Sequence, residues 1–263
     1  MRVLMVGDVV GEPGRRAVAE ILPELRASLA IDYVVLNAEN AAAGRGLTEK
    51  TAHQLFDAGV DVITSGNHIF NVKEFVPTLD GDLPILRPAN YPPRAPGRGM
   101  ISLDGLTVIN LMGRVFMPTT VDDPFPAVDR LLDQAPADAI VVIDFHAEAT
   151  SEQQAMGWYV NGRVAAVSGT HTHVPTADAR VLPGGTALTT DLGMVGVLDS
   201  VIGYDIDSVL ERFLTAMPTR LPVADGAEAI FGSVLIDIDD GTRLATSVER
   251  VDRRCFLQRG PHL

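Results

Sequence analysis

Four of the six histidines in this 263-residue chain fall directly after short apolar runs. The run at 60–64 leads into Ser65-Gly66-Asn67-His68, and the run at 139–143 into Asp144-Phe145-His146-Ala147-Glu148. The run at 164–167 leads into Ser168-Gly169-Thr170-His171-Thr172-His173. Two further runs, 3–6 and 33–36, end in Gly7-Asp8 and in Asn37-Ala38-Glu39-Asn40. His53 and His262 lie elsewhere. Imidazole combined with carboxylate and amide oxygen is a ligand set for Mn, Fe, Zn or Co. The i, i+2 spacing of His171 and His173 puts both rings on one side if the segment is extended. Asp8 and Glu39 add two negative charges, one of which can bridge two ions. The donors exceed what one ion needs, so a dinuclear centre is the economical reading.

These residues must be carried by elements that bring them together. The runs, with another at 107–111, are rich in Val, Ile and Leu and alternate little. Strands covered on both faces read this way. Helical patterns lie between several of them. One covers 15–30, where Pro23 predicts a kink or two pieces. Another follows Thr48, a helix cap, and stops at Gly59. A third covers 128–134, and Ser151 with Gln154 reads as a capping box opening a short helix. The last third differs: 181–182 and 186–189 read as a hairpin, 205–217 as a helix, and 230–238 with 243–251 as a longer hairpin around Asp239-Asp240-Gly241. Residues 87–99 read as a long coil. The pattern predicts an α/β protein, one domain over 1–263, with a mixed sheet or a two-sheet sandwich and helices outside. In such a sheet the carboxyl ends of parallel strands share one edge, where ligands bind.

Composition narrows the partners. Lys+Arg number 21 against 34 Asp+Glu, a formal charge of −13. That argues against long nucleic acid on the general surface and against an anionic membrane, while leaving room for a small phosphate ligand in a local site. Cys255 is the single cysteine, which excludes an intrachain disulfide and a zinc site built from several cysteines. No apolar stretch approaches the ~18 residues a membrane span needs. A cytoplasmic protein is the expectation, and a homodimer is the base-rate expectation for its assembly. Gly7, Gly11 and Gly14 do not form a dinucleotide loop, and Ser65 lacks a nucleophile elbow.

The motifs together resemble the calcineurin-like metallophosphoesterases. Gly66-Asn67-His68 is similar to their G-N-H block, His146 to their lone histidine, His171-Thr172-His173 to their H-x-H, and Asp8 to their first aspartate. The departures are Val10 where the family has histidine, Glu39 where it has aspartate, Ile69 after His68, and Thr170 where it has glycine. With Gly7-Asp8-Val9-Val10-Gly11 and Asn37-Ala38-Glu39-Asn40, they look like the bacterial YmdB-like phosphodiesterase branch. The resemblance implies a four-layer α/β/β/α sandwich of mixed sheets. It implies one metal held by Asp8, Glu39, Asn40 and His173 and a second by Glu39, Asn67, His146 and His171, with Asn40 in place of the missing histidine. The cofactors would be two divalent transition metal ions, iron or manganese favoured and zinc as an alternative. His68 would serve the leaving group. The implied reaction is hydrolysis of small phosphodiesters, 2′,3′-cyclic nucleotides first, by in-line attack of a metal-bridging hydroxide. A phosphomonoesterase or nucleotidase on the same site, and a non-catalytic metal or nucleotide sensor, are the alternatives. Arg45, in Gly44-Arg45-Gly46, either contacts phosphate or faces solvent in a turn. Asp144 reads as structural, and Glu148 as a supporting carboxylate or a bystander.

Overall fold

A computed structural model describes residues 1–257; His262 lies outside them. The first half alternates strand and helix: β1 (Arg2–Val6), β2 (Asp8–Val9), α1 (Gly11–Ser28), β3 (Tyr33–Asn37), α2 (Glu49–Asp57), β4 (Val62–Thr64), β5 (Met100–Ser102), β6 (Leu106–Met112), α3 (Pro124–Gln134), β7 (Ile140–His146), α4 (Thr150–Tyr159) and β8 (Ala166–Thr170). The second half is mostly strand: β9 (Arg180–Val181), β10 (Ala187–Thr189), β11 (Met194–Val197), α5 (Ile206–Thr215), β12 (Glu228–Phe231), β13 (Ser233–Asp239), β14 (Leu244–Arg250) and β15 (Arg253–Phe256). A 3-10 helix, Lys73–Asp80, has no counterpart in the sequence reading.

Two large mixed sheets carry the fold. One has the order β14-β13-β1-β3-β4 and the other β5-β6-β7-β8-β10-β9. In the first, β1, β3 and β4 run parallel; in the second, β6, β7, β8 and β10 do. Their apolar faces meet: Val3, Met5, Val35, Val62, Val234 and Ile236 pack with Leu106, Val108, Val142, Ala166 and Ala187. The alternate residues of the same strands face helices. Leu4, Val6, Val34, Leu36 and Ile63 share a core with α1 and α2, and Ile109, Leu111, Ile143 and Val167 one with α3 and α4. Both faces of each sheet are therefore buried, which is why the runs alternate so little. The layer order is helices, sheet, sheet, helices. A third sheet, β15-β12-β11-β2, was not expected and packs beside α1.

Three local expectations need correction. The helix with Pro23 is neither split into two pieces nor confined to 15–30: α1 starts at Gly11 and runs unbroken to Ser28. Pro23 and Ala19 are both exposed, so the carbonyl that loses its partner faces water, while Val18, Ile21, Leu22 and Leu25 anchor the opposite face. The expected strand 230–238 is two strands in different sheets, split at Gly232. A Cβ at Gly232 would meet backbone of Leu192 at 2.7 Å and Met194 at 3.0 Å, so only glycine permits the crossing. The Ser151–Gln154 capping box does not form: α4 begins at Thr150 without a side-chain cap, and Gln154 instead donates to Asp178 at 2.7 Å. By contrast, Thr48 caps α2 as expected, its Oγ1 accepting from Thr51 N at 3.1 Å.

Candidate active site

The parallel strands of both large sheets end on one edge of the molecule, and the polar residues converge there. His146, the last residue of β7, is fully buried. Its Nδ1 lies 2.9 Å from Thr170 Oγ1. That hydroxyl donates to Asp144 Oδ1 at 2.7 Å, so it accepts from His146, and the ring carries its proton on Nδ1. Asp144 is held in turn by Asn37 Nδ2 at 3.0 Å and by the Thr64 hydroxyl. The structural reading of Asp144 fits, and Thr170, the departure from the family's glycine, orients a site histidine.

The other nitrogen, His146 Nε2, faces three further donors of lone pairs. Glu39 Oε1 is 3.2 Å away, Asn67 Oδ1 3.2 Å and His171 Nδ1 3.1 Å. At most one proton on Nε2 can serve one of them; a cation serves all four. Ligand atoms of Glu39, His146 and His171 lie within 4.8 Å of one another. Gly66 is part of this cradle, because a Cβ there would collide with the His146 ring and with Glu39 Oε2. Glu39 Oε2 accepts from His68 N at 3.1 Å. Burial pushes Glu39 up, but His146 beside it and the His68 amide draw it down to about 2. Burial opposes the charged form of His146, and Glu39 with Asp8 overcomes that and raises it to about 9.

A second group lies next to the first. Asp8 sits on β2 with no exposure; its Oδ2 accepts from His171 N at 3.0 Å. Its Oδ1 is buried without a hydrogen-bond partner, 3.9 Å from His146 Nδ1. Asn40 is alike: Nδ2 donates to Gly44 O at 2.9 Å, and Oδ1 is buried and unpartnered. His173 Nδ1 donates to the Ile202 carbonyl at 2.8 Å, which leaves Nε2 with the lone pair. Burial holds Asp8 well above the usual carboxylate range, with Asp191 and Glu39 adding to it. Two orphaned acceptors and surplus buried carboxylate charge are costly unless a cation compensates them. The donor set fits a divalent metal of the first transition row.

The H-x-H segment does not work as the spacing suggested. It is not extended: His171 has φ 110° and His173 φ 64°. The turn is pinned by Asp191, whose Oδ2 accepts from Thr172 N at 3.0 Å and Oδ1 from Gly193 N at 2.7 Å. Burial pushes Asp191 up to about 6. The sequence reading missed Asp191, although it follows β10 just as the other site residues follow their strands. Burial, with His146 alongside, lowers His171 to about 3. Its Nε2 lies 3.0 Å from Glu148, so Glu148 supports a site ring although half its side chain is exposed.

His68 is half-buried at the mouth, its Nε2 3.3 Å from Asn67 Nδ2 and its Nδ1 3.1 Å from Asn71 Nδ2. Val10, where the family has histidine, is fully buried. His53 is half-exposed on α2, beside Glu49. Ser65 donates its hydroxyl to the Leu86 carbonyl at 2.6 Å.

A family model described as YmdB-like protein matches residues 4–251. The chain belongs to the YmdB-like family. A 2′,3′-cyclic-nucleotide 2′-phosphodiesterase of Bacillus subtilis (strain 168) is 48% identical over 256 residues, which cover 95% of this chain and 96% of that protein. A solved structure described as a hypothetical protein from Thermus thermophilus superposes with a TM-score of 0.90 at 43% identity, over 97% of this chain and 99% of that one. A structure described as a novel phosphatase from Mycoplasma pneumoniae gives 0.91 at 31% identity, over 98% and 95%. Among the described residues, no helix of this YmdB-like chain is long and apolar enough to cross a membrane.

Proposed function

We propose that this YmdB-like protein is a metal-dependent phosphoric ester hydrolase that cleaves small phosphodiesters, 2′,3′-cyclic nucleotides first. The observation that carries this reading is the crowd of acceptors around His146 Nε2 beside the orphaned oxygens of Asp8 and Asn40. The activity named for the Bacillus subtilis relative supplies the substrate class. In this reading Asp8, Glu39, Asn40 and His173 hold one divalent ion, and Glu39, Asn67, His146 and His171 hold another. When bound, such a pair polarises phosphate oxygens and lowers the pKa of water enough for in-line displacement.

The chain's own residues do the rest. Thr170 and Asp144 fix the His146 ring so that Nε2 presents its lone pair inward. The Ile202 carbonyl does the same for His173. His68 lies between the amides of Asn67 and Asn71, next to the proposed ligand Asn67, and in this reading it supplies the proton for the leaving alkoxide once one of those contacts gives way. The His68→Ala variant is expected to keep its metal and to lose about 10²–10⁴-fold in kcat on 2′,3′-cyclic AMP. Unchanged turnover would remove His68 from the mechanism.

A phosphomonoesterase is the second reading, favoured by the description of the Mycoplasma pneumoniae structure as a phosphatase. One comparison separates the two. Protein with its metal measured by elemental analysis is given 2′,3′-cyclic AMP and, separately, the 2′- and 3′-monophosphates. Ring opening without phosphate release supports the diesterase. Release of phosphate from the monoesters alone overturns it in favour of the second reading. A metal-replete protein that turns over neither substrate is a sensor rather than an enzyme.

A further inference from the structure

The loop between β3 and α2 is more constrained than a surface turn needs to be. Ala43, Gly44 and Gly46 all have left-handed backbone, at φ 49°, 92° and 79°. For alanine that conformation costs free energy and persists only where the surroundings enforce it. They do so here through four bonds. The Gly44 carbonyl accepts from Asn40 Nδ2 at 2.9 Å and from the Tyr204 hydroxyl at 2.8 Å. Gly46 N donates to the Glu39 carbonyl, and Arg45 N to the Ala42 carbonyl at 3.0 Å. A Cβ on Gly46 would lie 3.4 Å from the His68 carbonyl. The loop is thus folded directly onto Glu39 and Asn40 on one side and His68 on the other.

This rigid frame presents one side chain, Arg45, which is exposed. Among the described residues six arginines (2, 26, 114, 163, 250 and 254) form ion pairs with carboxylates and twelve, Arg45 among them, do not. Among the described residues no carboxylate pairs with Arg45. Its neighbours on either side fix where it stands: Gly44 is bonded to the Tyr204 hydroxyl and Gly46 packs against the His68 carbonyl. A cation without a carboxylate partner among the described residues, beside this cluster, has a counter-ion in an anionic substrate.

We propose that Arg45 is the anchor for the phosphoryl group: its planar fork binds the non-bridging oxygens of the phosphodiester at the mouth between His68 and Tyr204. This rests on the phosphodiesterase reading above and adds to it a binding role for a residue outside the metal ligands. Arginine suits the task because two parallel N–H donors match two phosphate oxygens, whereas lysine offers only a point charge.

The experiment compares wild type, Arg45→Ala and Arg45→Lys, each loaded with manganese and checked for equal metal content and equal unfolding midpoint. Inorganic phosphate is titrated calorimetrically, and KM and kcat are measured on 2′,3′-cyclic AMP. The Arg45→Ala variant is expected to bind phosphate about 10- to 100-fold more weakly and to raise KM by a similar factor with a smaller change in kcat. Arg45→Lys should recover part of both. Equal phosphate affinity and equal KM in Arg45→Ala would overturn the proposal, as would loss of metal, which would make Arg45 a prop for the loop. If wild type does not cleave the cyclic nucleotide but Arg45→Ala still loses phosphate affinity, the anchor stands and the diesterase reading falls.

Discussion

The two sides of the site are built by different means. His146 and Glu39 lie at strand ends, locked by neighbours buried in both large sheets: Thr170, Asp144, Asn37, Thr64 and Gly66. His171 and His173 ride a left-handed turn held from outside by Asp191, Ile202 and Glu148. The first side is part of the core, so its geometry is inseparable from folding. The second is an attachment, positioned by a few polar contacts that can be removed one at a time.

The contrast can be tested by breaking each side. Glu39→Gln strikes the residue shared by both proposed ions. It should lower metal content below one equivalent and reduce kcat/KM by about 10³-fold or more, about 4 kcal/mol in transition-state terms. Full metal occupancy in that variant would refute the bridging role. Thr170→Val comes next. It leaves His146 Nδ1 and Asp144 Oδ1 without their shared partner in a buried place, so about 1–3 kcal/mol of stability should go with about 10–100-fold in metal affinity. Asp191→Asn should have the smallest effect and a different signature. One amide face now meets a backbone N–H, so metal affinity falls up to about tenfold. The unfolding midpoint should fall less than in Thr170→Val, because removing a buried carboxylate charge offsets part of the lost bond. Equal stability losses in Thr170→Val and Asp191→Asn would erase the distinction between the two sides.

The strand-held side was legible in the sequence and the loop-held side only in part. Short apolar runs ending in polar residues point to a sheet edge whatever the packing, and this placed Asp8, Glu39, Asn67, His146 and His171 together. The route of the backbone through Thr170-His171-Thr172-His173 was not legible, because two left-handed histidines depend on Asp191, which is distant in sequence. The splits at Gly7 and Gly232 were hidden for the same reason. Glycine reads as a weak spot in a strand, whereas here the close approach of Gly193, Leu192 and Met194 requires it. The third sheet follows from those two crossings and was missed with them.

The hydrogen bond from His171 N to Asp8 Oδ2 joins residues 163 positions apart. Closing so long a loop costs entropy that only late, native-like packing repays. The cluster is complete only when the amino-terminal strands have met the segment after β8. In refolding, metal uptake should trail the recovery of secondary structure, and a bound ion would act as a lock on the finished topology, resisting the opening of either sheet from the other.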